Sequence, residues 1–206
     1  MTAQIIALPG AELSLDSSWL GPATADALFL ALREQVSWET HRLRLFGREV
    51  DAPRLSCWIG DPEAIYTYSR ARFVPHPWPA SLLPVRERLA RELETPMNSV
   101  LANRYRDGRD SMGWHSDDEP ELGPQPLIAS LSLGATRRFV LRQRRDSRQK
   151  LALDLPHGSL LTMRGPTQAQ WQHALPRTAR PVGERINLTF RHVSAATTAS
   201  APRRRG

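Results

Sequence analysis

The sequence of 206 residues has little cysteine, little lysine and no long apolar run. Cys57 is the only cysteine, which excludes an internal disulfide and a cysteine-based zinc site. No apolar run approaches the roughly 20 residues of a membrane-spanning helix, and no secretory signal is visible. We therefore expect an intracellular monomer without a membrane partner, cytoplasmic in a bacterium and nuclear in a eukaryote.

The charge is strongly basic, with a formal net value of +7, and Lys150 is the only lysine. Arginine recognises phosphate through its forked donors, so this composition is compatible with a nucleic-acid partner. A GC-rich genome would also place arginine where other genomes place lysine. Charge alone does not separate these two interpretations.

Hydrophobic periodicity predicts two helices in the first half of the chain. The first is expected over Pro22–Val36, with a cap supplied by Asp16–Ser18, and the second over Pro84–Glu94. Residues 1–18 show no clear pattern and are expected to form an irregular lead-in.

Short alternating segments separated by turn signals predict an antiparallel double-sheet barrel with flanking helices. Strands or hairpins are expected at Arg42–Arg48, Ile65–Ser69, Leu101–Tyr105, Trp114–Asp118, Leu127–Leu133, Arg138–Arg142, Gly158–Met163 and Arg185–His192. Gln143–Lys150 is a charged loop that either contacts phosphates or is simply solvated. His157 is interpreted as a structural residue at a turn.

His115 and Asp117 form an H-x-D pair whose side chains share one face of an extended segment. With the distant His173 they would make the triad of two histidines and one carboxylate found in non-haem iron(II) oxygenases. That triad leaves metal positions open for a cosubstrate and dioxygen. An H-x-D pair alone is common by chance, so the prediction of a metal site depends on further motifs in the sequence.

The segment Arg185–Arg191 is a second motif that strengthens the interpretation of the H-x-D pair. If the segment is a strand, four polar side chains lie on one of its faces. They are Arg185, Asn187, Thr189 and Arg191. Burying two arginines is costly without anions, and forked guanidinium groups would hold a small dicarboxylate between them. The alternative is a polar sheet edge that faces solvent.

The motifs NRYRDG, WHSDDE, IASLSLGATRRFVLR, HGSLLTM, WQHALP and RINLTFR follow one another in this order. Together they resemble the AlkB-type iron(II)/2-oxoglutarate-dependent dioxygenases, from about Phe46 to His192. The likeness is nearest to the subgroup that repairs double-stranded alkylated DNA. It implies a double-stranded β-helix (jelly-roll) core at residues 97–193, an N-terminal nucleotide-recognition extension at 1–96 and a basic tail at 194–206.

The resemblance also implies roles for individual residues. Iron would be bound by His115, Asp117 and His173. Bound 2-oxoglutarate would contact Asn103, Tyr105, Arg185, Asn187, Thr189 and Arg191. The damaged base and its duplex would contact Phe46, Gly47, Arg48, Tyr66, Tyr68, Asp118 and Glu119, with Phe46 as a wedge on a finger hairpin. Tyr68 stands where the subgroup has phenylalanine, and the loop Gln143–Lys150 is shorter than expected for that subgroup.

The implied activity is oxidative demethylation of bases such as 1-methyladenine and 3-methylcytosine. It would consume 2-oxoglutarate and dioxygen at iron(II), and release formaldehyde, succinate and carbon dioxide. Access to the methyl group inside a duplex requires base flipping. The alternatives are the same chemistry on RNA or on a protein side chain, and a non-catalytic nucleic-acid-binding module with a structural metal site.

Overall fold

The computed structural model of the protein describes residues 3–45, 48–68 and 71–194. Within these ranges the chain is mainly β, with fifteen strands, three helices and two short 3-10 turns. The prediction of a mainly β protein with few helices is confirmed.

The first seven strands precede residue 97. They are β1 (Gln4–Leu8), β2 (Ala11–Asp16), β3 (Arg42–Leu45), β4 (Arg48–Asp51), β5 (Leu55–Gly60), β6 (Tyr66–Tyr68) and β7 (Ala71–Phe73). The remaining strands are β8 (Ser99–Tyr105), β9 (Met112–His115), β10 (Ile128–Gly134), β11 (Arg137–Gln143), β12 (Lys150–Leu155), β13 (Leu160–Arg164), β14 (Trp171–Leu175) and β15 (Arg185–Arg191). The helices are α1 (Pro22–Gln35), α2 (Leu83–Leu93) and α3 (Thr167–Gln170).

Strands β8 to β15 are divided between two antiparallel sheets. The larger sheet has the order β1-β2-β13-β10-β15-β8-β5, and the smaller has the order β12-β11-β14-β9. This arrangement is the double-stranded β-helix, or jelly-roll, that the motifs implied. Strand β15, which carries the arginine-rich motif, pairs with β10 on one side and with β8 on the other.

The two faces of the larger sheet have different partners. Leu131, Leu133 and Leu188 belong to a buried cluster with the apolar faces of α1 and α2. A second cluster, which includes Phe139 and Leu141 of β11, belongs to the side of the smaller sheet. The polar residues of β10 and β15 alternate with the leucines and therefore point to the opposite face from the helices.

Helix α1 confirms the periodicity, with Leu28 and Leu32 buried, but its predicted cap is wrong. The helix is preceded by Gly21, starts at Pro22 and has no side-chain cap hydrogen bond. Proline suits a first helical position because it has no N–H to leave unpaired. Asp16 instead accepts a hydrogen bond from the Ser18 backbone N–H at 3.0 Å, in the turn after β2. Helix α2 lies within one residue of its predicted limits.

The expectation of an irregular lead-in is also wrong. Strands β1 and β2 form a hairpin, and β2 pairs with β13 through the register Leu13↔Met163. Its partner strand lies about 150 residues further along the chain, so no local signal announces the pairing. The division of the chain at residue 96 stays a prediction, and strands from both sides of it share the larger sheet.

The predicted hairpin near Arg42 is present, since β3 and β4 pair from Arg42↔Asp51 to Leu45↔Arg48. Its tip, with Phe46 and Gly47, lies outside the described residues, as does the tail after residue 194. Strands β6 and β7 form a second small hairpin. No helix in the described ranges is long and apolar enough to cross a membrane.

Candidate active site

The pairing of β9 with β14 brings the predicted metal ligands together. His115 lies directly opposite His173 in the register of these strands, and their ring centroids are 4.3 Å apart. Asp117 follows two residues after His115, and one ligand atom from each of the three residues lies within 4.8 Å of the others. The predicted convergence is confirmed.

Both imidazole rings are held in place. His115 donates from Nδ1–H to the Gly113 carbonyl at 2.8 Å, which leaves its Nε2 lone pair for a metal. His173 is buried and stacks on Phe139 with centroids 5.2 Å apart. Burial, and then the charges of His115 and Arg191, lower the pKa of His173 to about 3. This ring is therefore neutral at physiological pH, as a metal ligand must be.

Asp117 is fixed on both its backbone and its side chain. Its backbone N–H donates to Gln168 Oε1 at 2.9 Å, and its Oδ1 accepts from Arg191 Nη2 at 2.5 Å. Burial opposes ionisation here, but the charge of Arg191 and the two histidines outweigh it and lower the pKa of Asp117. Two imidazole nitrogens and one ionised carboxylate form a donor set that fits iron(II).

The polar face of β15 lies in the interior, so the alternative of a solvent-facing edge is excluded. Arg185 is 1% exposed and Arg191 is 3% exposed. One pocket is lined by the metal triad and by every residue predicted to hold 2-oxoglutarate. Those lining residues are Asn103, Tyr105, Arg185, Asn187, Thr189 and Arg191.

Hydrogen bonds orient two amide side chains in the middle of this pocket. Asn187 donates from Nδ2 to Ser130 Oγ at 2.9 Å and to the Leu131 carbonyl at 3.0 Å. Asn103 lies opposite Asn187 on β8, and its Oδ1 accepts from Arg54 Nε at 2.8 Å. Arg54 was not predicted as a site residue, because only the pairing of β5 with β8 places it there.

Arg185 marks the far end of the pocket. Its Nη2 donates to Ser132 Oγ at 2.8 Å, and its guanidinium carbon lies 5.4 Å from the centre of the Tyr105 ring. Its buried Nε has no hydrogen-bond partner among the described residues. Burial lowers the pKa of Arg185 to about 10, so the group is still a cation at neutral pH. A buried cation with an unused donor fits a ligand carboxylate.

The residues predicted to contact the substrate are only partly located. Asp118 stands exposed beside the triad and forms an ion pair with Arg144 at 2.6 Å, and Glu119 follows it, partly buried. For Arg48, Tyr66 and Tyr68 only the backbone position is described. Arg48 is the first residue of β4, and Tyr66 and Tyr68 are the first and last residues of β6. The structure brings together the residues predicted to bind iron and those predicted to bind 2-oxoglutarate. The contacts of the residues predicted to bind the duplex stay a prediction.

A jelly-roll that carries a triad of two histidines and one carboxylate beside a buried arginine defines the class of non-haem iron(II) oxygenases. Comparison with known proteins agrees. The family described as the 2OG-Fe(II) oxygenase superfamily matches residues 13–191. The solved structure of OsALKBH1 has a TM-score of 0.61 at 17% identity, covering 93% of this chain and 100% of that one, which supports the fold.

Curated relatives are much closer in sequence. DNA oxidative demethylase ALKBH2 of Mus musculus is 42% identical over 193 residues, 88% of this chain and 80% of that protein. Alpha-ketoglutarate-dependent dioxygenase alkB homolog 3 of Bos taurus is 41% identical over 178 residues, 82% of this chain and 62% of that protein. ALKBH2 of Arabidopsis thaliana is 35% identical over 189 residues, 79% of this chain and 60% of that protein.

The chain belongs to the 2OG-Fe(II) oxygenase superfamily, within its AlkB-type dioxygenases. It is an enzyme whose family uses iron(II), 2-oxoglutarate and dioxygen. The resemblance inferred from the motifs is confirmed.

Proposed function

We propose that this protein is a DNA repair dioxygenase that removes methyl groups from N-alkylated bases of the 1-methyladenine and 3-methylcytosine type. The observation that carries the proposal is one pocket that joins the triad of His115, Asp117 and His173 to the buried guanidinium of Arg185. The names of the relatives, DNA oxidative demethylases among them, support DNA as the substrate. The products would be formaldehyde, succinate and carbon dioxide.

In this proposal His115, Asp117 and His173 hold iron(II). When it is bound, the iron supplies the activation of dioxygen with 2-oxoglutarate as the reductant. The protein's own groups hold the cosubstrate in place, with the unused Nε donor of Arg185 directed to the distal carboxylate. Asn103 and Asn187 present fixed amides along the length of the cosubstrate.

The pocket also keeps the ligand set in one protonation state. His173 remains neutral because it is buried, and Asp117 remains ionised because Arg191 pairs with it. Ser130, Thr189 and Tyr105 line the space between the two ends.

Substrate contact is assigned to residues at the rim and on the N-terminal hairpins. Asp118 and Glu119 would contact the flipped base, Tyr66 and Tyr68 would stack on it, and Phe46, Gly47 and Arg48 would support the distorted duplex. The net charge of +7 suits sequence-independent attraction to phosphates. A monomer that works inside the cell completes the proposal.

The test is anaerobic loading with iron(II) and 2-oxoglutarate, followed by air and an oligonucleotide that carries one 1-methyladenine. Loss of the methyl mass is followed on single-stranded DNA, duplex DNA and RNA. His115→Ala should abolish it, while His192→Ala, which changes an exposed histidine, should not. Succinate without demethylation of any strand would contradict the nucleic-acid substrate. Absence of both products in iron-loaded protein would favour a non-catalytic binding module.

A second variant tests whether the protein prefers duplex DNA to single-stranded DNA. Phe46→Ala should lower repair of the duplex more than repair of the single strand, because only the duplex needs a wedge to replace the flipped base. Equal losses on both substrates would show that Phe46 has a different role.

A further inference from the structure

Arg137, the first residue of β11, is a buried cation that the proposed mechanism does not use. The residue is only 3% exposed to solvent. It donates from Nη1 to the Asp107 carbonyl at 3.0 Å, and from Nη2 to the carbonyls of Asp110 at 3.0 Å and Pro176 at 2.8 Å. These partners are all backbone oxygens, so its hydrogen bonds supply dipoles rather than a counter-charge.

The nearby carboxylates are engaged with other arginines. Asp110 pairs with Arg106 at 2.8 Å, and Asp107 pairs with Arg109 at 2.6 Å. Burial lowers the pKa of Arg137, while the charges of Asp110 and Asp107 oppose this effect. The guanidinium therefore keeps a charge that no direct ion pair among the described residues neutralises.

Tyr105 connects this charge to the pocket. The Arg137 guanidinium carbon lies 5.9 Å from the centre of the Tyr105 ring, and that of Arg185 lies 5.4 Å from the same centre. The ring is 3% exposed and lines the pocket. Two cations thus flank one aromatic ring at the end of the pocket that lies away from the metal triad.

A purely structural role would explain the three carbonyl contacts but not the charge. A neutral donor would join the same loops without the cost of burying a cation. Asp110 and Asp107 relieve part of the unfavourable field of these two adjacent cations, and the distal carboxylate of the cosubstrate is an anion that would relieve more of it. The position of Arg137 is therefore suited to ligand selection.

We propose that Arg137 is a positioning residue that selects a dicarboxylate cosubstrate, because its charge acts through Tyr105 together with Arg185 on the distal carboxylate. This inference rests on the proposed function, in which 2-oxoglutarate occupies the pocket. Arg137 does not touch the ligand. It raises the preference for a 2-oxo acid that ends in a carboxylate over one that ends in a methyl group.

The experiment compares two ligands that differ only at that end, 2-oxoglutarate and 2-oxopentanoate. Each is titrated calorimetrically into full-length protein loaded with Ni²⁺ instead of iron, so that no turnover occurs. Arg137→Gln should weaken 2-oxoglutarate binding about tenfold and leave 2-oxopentanoate binding within about twofold, as expected for a lost charge near one ligand end. Arg137→Lys, which keeps the charge, should restore most of the preference.

The matched control is Arg138→Gln, which removes an arginine whose side chain is 62% exposed and pairs with Asp154. It should change neither affinity. Equal weakening of both ligands by Arg137→Gln would show that Arg137 only holds loops, and unchanged binding of both would also overturn the proposal. If Arg137→Gln does not fold, Arg137→Lys decides, because loss of the dicarboxylate preference despite a retained charge would overturn it.

The outcomes also separate this inference from the proposed function. Wild-type protein that binds neither ligand would remove the basis of both. Wild-type protein that binds 2-oxoglutarate, with a preference indifferent to Arg137, would leave the proposed function intact and reject this inference alone.

Discussion

A buried arginine lies at each end of the pocket, and the two differ in whether a carboxylate of the protein neutralises them. At the metal end, Arg191 lies 2.5 Å from Asp117, so that cation and anion compensate each other within the protein. At the far end, Arg185 donates to the hydroxyl of Ser132 and forms no ion pair with a carboxylate among the described residues. The cation at the metal end is therefore neutralised within the protein, whereas the cation at the far end would be neutralised by the cosubstrate. Two arginines that look equivalent on one strand therefore differ in what they require.

The largest effect is expected from breaking the compensated end. Asp117→Asn leaves Arg191 buried without its counter-charge, so the metal-free protein should lose about 3–5 kcal/mol of its free energy of unfolding. Urea denaturation measures this loss. The control is Asp154→Asn, which removes an exposed partner of Arg138 and should cost at most about 1 kcal/mol. A loss below about 1 kcal/mol in Asp117→Asn would mean that Arg191 does not depend on that carboxylate.

The uncompensated end should respond in the opposite direction. Arg185→Met removes a buried charge that lacks a carboxylate, so stability of the metal-free protein should stay level or rise by up to about 4 kcal/mol. The same change should weaken 2-oxoglutarate binding about 100-fold, because charged hydrogen bonds to the distal carboxylate are lost. Denaturation and calorimetry give the two values. Exposed Arg164→Met serves as the control, and a destabilised Arg185→Met would contradict the comparison.

Low pH should destabilise the metal-free protein through His173 at the metal end of the pocket. His173 has a pKa of about 3 in the folded protein and an ordinary value of 6.5 when unfolded, so the unfolded chain binds the extra proton between these values. Stability of the metal-free protein should therefore fall as pH drops from 6.5 toward 3, by about 1.4 kcal/mol per pH unit for this group. Thermal unfolding from pH 7 to pH 5 measures the slope. His173→Gln should flatten it, and an unchanged slope would assign the effect to other groups.

The smallest effect is expected midway between the ends. Thr189 donates from Oγ1 to Asn187 Oδ1 at 3.3 Å, a long contact between neutral groups. Thr189→Val keeps the shape of the side chain and should cost about 1 kcal/mol of stability. The KM for 2-oxoglutarate should rise less than about fivefold, since about 1 kcal/mol corresponds to a factor of about five. A loss comparable to that of Arg185→Met would show that Thr189 contacts the ligand directly.

Local pattern was sufficient for much of the site. The spacing of His115 and Asp117 predicted their convergence, although β9 ends at His115 and Asp117 lies beyond the strand. The polar face of Arg185–Arg191 follows from strand alternation alone. The position of His173 opposite His115 required the family motifs, because 58 residues separate them and no periodicity links them. The turn at His157 was also predicted correctly, since its Nδ1 accepts a hydrogen bond from the Gly134 N–H.

Pairing between distant segments accounts for what the sequence did not reveal. Arg54 reaches Asn103, and Gln168 of α3 reaches the backbone of Asp117, only because segments far apart in the chain come together. Arg137 lay one residue outside the predicted strand that became β11. Strands β1 and β2 were missed for the same physical reason, since β2 pairs with the distant β13 and β1 pairs with β2.

The position of β15 in the larger sheet has a consequence for synthesis of the protein. This strand is the last in the chain within the described residues, yet it lies between β10 and β8 and so joins two halves of the sheet. Until residues 185–191 leave the ribosome, those halves have two unpaired edges and no shared hydrogen bonds. Nascent chains are therefore exposed to edge-to-edge aggregation until the final strand enters. We therefore expect a chain truncated before Arg185 to aggregate rather than to fold into a weakened enzyme.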